Sequence, residues 1–124
     1  MKKIKKAFMI QLFLILFTVS CSVGWSGDVV FVVEGSISDV DIRYSIDNDY
    51  EGISSVTLPW QSDAISISVE DGDKYNCSIS VENNTADSSP IKVKIFVDGV
   101  LRAEETASSA YCSVSTEYTI DEFE

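Results

Sequence analysis

Three cysteines and two acidic turns are the residues of this chain best able to do chemistry, because the sequence contains no histidine. The absence of histidine removes the commonest general base, the usual zinc ligand and every Ser–His or Cys–His nucleophile system. Cys21 ends an apolar segment, whereas Cys77 and Cys112 lie far beyond it. This distribution favours lipidation and disulfide formation over catalysis, and we predict that the protein is not an enzyme.

The acidic turn at residues 47–52 imitates the start of a calcium-binding loop, with Asp47, Asp49 and Glu51 at alternate positions. An EF-hand loop requires a glutamate at its twelfth position, where this chain has Leu58. Turns favour Asp and Asn for conformational reasons in any case. A solvated turn is therefore the preferred interpretation, here and at residues 70–73, and we expect no metal and no cofactor.

Residues 1–21 have the parts of a secretory signal. Residues 2–6 contain four lysines, residues 7–19 are almost wholly apolar, and Ser20 precedes Cys21. A cysteine directly after a small residue predicts a bacterial lipobox, in which cleavage leaves Cys21 as a lipidated N-terminal residue. Its acyl chains would hold the protein to a membrane, each buried methylene contributing about 0.8 kcal/mol.

Two other interpretations of this segment remain open. An ordinary signal peptide cut near Cys21 would release a secreted domain, and an uncut helix over residues 7–25 would just span a bilayer, which needs about 20 apolar residues. All three place the globular part outside the cytoplasm. We therefore predict a membrane-anchored, extracytoplasmic domain of the cell envelope.

The charge of the exported part excludes one class of partner. The chain has nine basic and twenty acidic residues, and four of the basic ones are lysines of the signal. Five basic side chains then remain against twenty acidic ones, a net charge of −15. Nucleic-acid binding needs a basic face, so we expect no nucleic-acid partner. The charge serves solubility, and it would also attract cations or a basic partner.

Alternation of apolar and polar residues dominates the chain after residue 28 and predicts strands. About eight short strands follow one another at turn spacings typical of a sandwich, and Asp98-Gly99 is a strong hairpin signal. We predict an all-β, immunoglobulin-like sandwich of seven to eight strands. The predicted divisions are the lipoprotein signal at 1–21, a tether at 22–27, the sandwich at 28–120 and an acidic tail at 121–124.

Cys77 and Cys112 both occupy the inward phase of their predicted strands. Because disulfides persist outside the cytoplasm, we predict that they form a bridge, which would stabilise the fold by roughly 3–4 kcal/mol. Two buried free thiols are the alternative.

Phe96 occupies the outward phase of its strand, between Lys92, Lys94 and Asp98. An exposed aromatic side chain beside lysines predicts a face that binds a partner. A contact beneath a neighbouring loop is the alternative. Trp60, which follows Pro59, is predicted to lie in the core, with a docking role as its alternative.

Several segments together resemble the small mycobacterial-type membrane protein family MmpS and related immunoglobulin-like lipoproteins of other bacteria. They are VVFVVEG (29–35), DIRYSID (41–47), VTLPW (56–60), IKVKIFVDG (91–99), LRAEET (101–106) and AYC (110–112). The resemblance implies an extracytoplasmic sandwich on an N-terminal anchor, acting as an accessory of large MmpL transporters. Cys112 matches the family's second cysteine, Val93 stands at the position of the first, and the family's anchor is a transmembrane helix.

These observations lead to one expected function and one alternative. We expect a membrane-tethered extracytoplasmic binding module, accessory to a membrane transport or envelope complex, that binds through a strand edge or an exposed sheet face. The alternative is a surface lipoprotein for adhesion or ligand capture that has no transporter partner.

Overall fold

A computed structural model of the chain describes residues 25–69 and 73–121, which form nine strands and no helix. The predicted signal with Cys21 and residues 122–124 of the predicted tail lie outside the described residues. The strands are β1 (Trp25–Glu34), β2 (Val40–Ile46), β3 (Asp49–Val56), β4 (Trp60–Gln61), β5 (Ile65–Val69), β6 (Lys74–Asn83), β7 (Ile91–Val97), β8 (Val100–Ala107) and β9 (Ser113–Asp121).

The strands form two antiparallel sheets that pack face to face. The first sheet has the order β4-β1-β7-β8, with β5 also pairing with β1, and the second has the order β3-β2-β6-β9. The prediction of an all-β, immunoglobulin-like sandwich is confirmed. The described chain has one strand more than the upper predicted number, because the two-residue β4 pairs with β1 at Val32 and Val33.

The core lies between the sheets, where the inward residues of each strand are buried as the alternation predicts. Strand β7 shows the pattern most clearly, since Ile91, Val93, Ile95 and Val97 are buried and the residues between them are not. The core residues all lie within the described ranges: Val29, Phe31, Val33, Ile37, Val40, Ile42, Leu58, Ile67, Val69, Cys77, Ile79, Val81, Ile91, Val93, Ile95, Val97, Val114 and Ile120.

Two element boundaries differ from the prediction. Strand β1 begins at Trp25, so part of the predicted tether pairs with β5, Trp25 opposite Val69. The predicted turn at 47–52 contracts to Asp47-Asn48, whose φ angles of 52° and 69° form a two-residue hairpin turn. The first residues of both strands lack a regular alternation of apolar and polar side chains. The sequence pattern therefore does not show where these strands begin, and only their backbone pairing defines the start.

The second two-residue turn is the predicted hairpin. Asp98 and Gly99 have φ angles of 52° and 80°, and Val97 pairs with Val100 on either side of them. The Asp98 carboxylate also accepts a hydrogen bond of 2.9 Å from the Asp28 N–H. The turn is therefore tied to the neighbouring strand of its own sheet.

Buried polar groups connect the loops to the sheets. The amide of Asn83 donates to the carbonyls of Asp87 (2.8 Å) and Ser109 (3.3 Å), and its oxygen accepts from the Thr85 N–H. The Ser62 hydroxyl accepts from the Phe31 N–H at 3.0 Å. Such groups are costly to leave unpaired inside a protein, so these bonds define how the loops pack.

Gly35 marks a close approach of two backbone segments. Its φ is 153°, and a Cβ placed there would lie 2.9 Å from the Pro90 carbonyl oxygen and 3.0 Å from a Leu58 methyl. Gly52, on the edge strand β3, has open space around the same position. Only the first glycine is therefore required by packing.

The two long sides of the sandwich differ. On one side β8 packs against β9 and closes the gap between the sheets. On the other side the residues of β3 are mostly exposed, and a cleft opens between the β2–β3 hairpin and β5.

Candidate functional site

The predicted partner face lies on the outer side of the first sheet. Phe96 is half-buried there, with Val30 opposite it on β1 and Leu101 opposite it on β8. Val32 lies beside Val30 on the same side and is also half-buried. We call these four residues the apolar face. Leu101 is 41% exposed, so the face presents apolar surface to solvent.

The two lysines of the predicted face are both paired with glutamates. The Lys94 ammonium lies 2.8 Å from the Glu34 carboxylate, and the Lys92 ammonium lies 3.9 Å from that of Glu104. The hydrogen bond from Lys94 holds the pKa of Glu34 below its usual range. The apolar face is therefore bordered by ion pairs rather than by uncompensated positive charge.

The structure corrects the predicted disulfide, since Cys77 and Cys112 are both free thiols. Cys77 lies opposite Tyr118, whereas the Cys112 carbonyl accepts a hydrogen bond from the N–H of Asn83, at the other end of β6. Six residues of strand separate the two positions, roughly 20 Å at about 3.3 Å per residue. A bridge needs Cα atoms about 4–7 Å apart. The two cysteines lie on the same face of the sheet but at different positions along its strands.

Cys77 is fully buried, and Cys112 is half-buried. Burial, with a smaller contribution from the negative charge of Asp47, raises the pKa of the Cys77 thiol to about 12. A thiol reacts through its ionised form. Cys77 is therefore an unreactive core residue.

A cleft of about 500 Å³ lies between the β2–β3 hairpin and β5. Its lining combines an apolar floor with a rim of carboxylates. The floor residues are Tyr44, Ile46, Ile65, Ile67 and Tyr75, the carboxylates are Asp47, Asp49 and Glu51, and Ser66 and Ser68 complete the wall. Among the residues that the structure describes, no lysine or arginine belongs to this lining.

The register of β3 brings two of the carboxylates to the cleft. Asp49 pairs with Ile46 and Glu51 pairs with Tyr44, so both lie on the side of the strand that faces the core. Both are nevertheless exposed, because β3 is an edge strand that the first sheet does not cover. Asp47 joins them from the turn, where its N–H donates to the Asn76 carbonyl at 2.8 Å.

The sequence interpretation of residues 47–52 as a solvated turn missed this arrangement. The alternation of Asp49, Glu51 and Ile53 is itself a strand signal, but acidic residues in the inward phase contradict the expected apolar pattern. Among the described residues, no group of three or more Asp, Glu, Cys or His side chains is arranged to hold a metal ion. The three carboxylates form a charged border of the cleft.

Tyr44 connects the cleft to the core. Its ring centroid lies 5.0 Å from that of Phe31 and 5.6 Å from that of Trp60. Burial raises the pKa of the Tyr44 hydroxyl, and the charges of Glu51 and Asp63 raise it further. Trp60 is half-buried and packs against the core, as predicted. The cleft therefore has a firmly packed aromatic wall in a negative electrostatic environment.

The fold defines the class of the protein as an antiparallel two-sheet β-sandwich, with an apolar face on one sheet and an acidic cleft at one side. No protein-family model matches the sequence, and comparison with curated proteins finds no match. Among the described residues there is no helix long and apolar enough to cross a bilayer.

Proposed function

We propose that this protein is a non-enzymatic binding module, held at the outer side of a membrane by lipidated Cys21, that acts as an accessory to a membrane transport or envelope complex. The partner would be an extracytoplasmic domain of that complex. The apolar face is the observation that carries the proposal, because it joins Phe96 to apolar residues on both neighbouring strands.

Two physical features support docking through this face. A few buried side chains, with aromatic ones prominent among them, contribute most of the binding energy at the centres of protein interfaces, and polar groups border them. Here the Lys94–Glu34 and Lys92–Glu104 pairs supply that border. The resemblance to MmpS proteins, which assist large transporters, suggests which class of partner to expect.

The anchor is tested by replacing Cys21 with Ala in the producing cell and separating membranes from soluble protein. Removal of the acylated thiol should abolish incorporation of labelled fatty acid and release the processed protein from the membrane. A variant that stays membrane-bound and is processed like the wild type would show that Cys21 is not lipidated.

The docking surface is tested by placing a photo-crosslinking residue at position 101 of the full chain in cells. The adduct, identified by mass spectrometry, should contain an integral membrane transport or envelope protein and should disappear in Phe96→Ser. Tyr50→Ser is the matched control, because Tyr50 is 55% exposed on the other sheet. An absent adduct, or one that both variants reduce equally, would remove the docking role.

A second candidate function is ligand capture by a surface lipoprotein that has no transporter partner. The cleft beside β3 and β5 favours it, because adhesion or transport accessory roles give no reason for an apolar cavity with an acidic rim.

A further inference from the structure

We propose that the cleft between the β2–β3 hairpin and β5 binds a small amphiphilic cation, an organic ammonium or guanidinium group on an apolar body. This inference deepens the ligand-capture candidate, on which it rests, and needs no transport partner. Its residues lie outside the apolar face, so its failure would leave the accessory role unaffected.

The size and lining of the cleft fit a small molecule. Its volume of about 500 Å³ lies within the range of small-molecule sites, roughly 300–1,000 Å³. Ile65 and Ile67 line the cleft from the first sheet, and Ile46 with the rings of Tyr44 and Tyr75 lines it from the second. An apolar body placed between these side chains would be removed from water on both sides.

The charge of the rim selects a cation. Asp47, Asp49 and Glu51 contribute carboxylates to one cleft, and the described part of the chain adds no basic side chain to its lining. Each carboxylate attracts a cation and repels an anion bound in the cleft. Tyrosine rings in the wall add attraction for an ammonium or guanidinium group that lies over their faces. A neutral or anionic ligand would leave these features unused.

Inward-pointing charges on an edge strand have another known effect, which is to discourage pairing with a second chain. That effect accounts for Asp49 and Glu51 on β3, but not for Asp47, which lies in the turn, nor for the apolar floor beside them. The two explanations differ in a measurable way, because edge protection predicts no selectivity among ligands.

The probe is 4-phenylbutylammonium, compared with neutral 4-phenylbutanol and anionic 4-phenylbutyrate. Each is titrated into the full chain in micelles of an uncharged detergent, with a detergent blank, and followed by NMR signals of Tyr44 and Ile65. We expect the ammonium to bind at least about tenfold more tightly than the alcohol, the anion not to bind, and added salt to weaken the ammonium complex. Equal binding of ammonium and alcohol, binding of the anion, or no binding of the ammonium would overturn the proposal.

The charges are tested with the double variant Asp49→Asn/Glu51→Gln, whose substitutions are close in shape and lie at exposed positions. It should bind the ammonium about tenfold or more weakly, while its thermal unfolding temperature stays near that of the wild type. The matched control is Glu105→Gln/Glu117→Gln, which changes the net charge equally on β8 and β9. An equal loss in both double variants would show that net charge, and not the cleft, holds the probe.

Discussion

Cys77 should make the protein lose stability between pH 9 and pH 12, and replacing it with Ala should remove that loss. The thiol is fully buried, and burial raises its pKa from 9.0 to about 12. Between these values the unfolded chain releases the thiol proton while the folded chain keeps it. The unfolded state then binds fewer protons, so the free energy of unfolding falls as the pH rises. Below pH 9 both states keep the proton, and the contribution is constant.

The size of the effect follows from the pKa difference. Each pKa unit corresponds to about 1.4 kcal/mol, so at pH 10.5, halfway between the two pKa values, about 2 kcal/mol of stability is lost relative to pH 8. The Cys77→Ala variant is less stable at pH 8, since a cavity replaces the sulfur. Between pH 8 and pH 10.5, the free energy of unfolding of this variant should fall by about 2 kcal/mol less than that of the wild type.

The assay is urea unfolding followed by tryptophan fluorescence at pH 8 and pH 10.5, with reductant present. The raised pKa of Tyr44 also lowers the free energy of unfolding as the pH rises. Because every variant keeps Tyr44, this contribution cancels in the comparison. Ile79→Ala is the control, because it opens a cavity in the same strand but removes no titratable group, so the pH dependence should stay that of the wild type. Identical pH dependence in the wild type and Cys77→Ala would refute the argument that a protonated thiol lies free in the core.

Three further substitutions test the packing by urea unfolding. Gly35→Ala should destabilise by about 1–3 kcal/mol because its Cβ meets backbone, whereas Gly52→Ala, in open space, should change stability little; similar effects at both would contradict the close approach. Asn83→Asp should destabilise by at least about 1–3 kcal/mol, since a carboxylate oxygen would face the two carbonyls to which the amide now donates. An unchanged free energy of unfolding would count against those hydrogen bonds. Ser62→Ala should cost about 1–3 kcal/mol by leaving the buried N–H of Phe31 without its acceptor, and hydrogen exchange at that amide should accelerate; unchanged exchange would contradict the assignment.

The strands were predictable because their signal is local. Alternation with period two identifies the inward residues of β7 without knowledge of its neighbours, and Asp98-Gly99 identifies a turn from the two residues that must adopt positive φ. The Asp47-Asn48 turn was harder to place, since acidic residues continue beyond it at Asp49 and Glu51. Strand β4 was missed because two residues carry no periodic pattern.

The amino-acid sequence by itself determined that the chain forms an all-β sandwich, that Phe96 points away from the core and that Cys77 points into it. These properties depend on the face of a strand to which a side chain belongs, and the alternation of apolar and polar residues along the strand indicates that face. Only the tertiary structure decided that Cys112 lies beside Asn83, six residues along β6 from Cys77, and that Asp49 and Glu51 border a cleft. Those facts depend on the register between strands and on how far one sheet covers the other, which are set by pairings between residues distant in the chain.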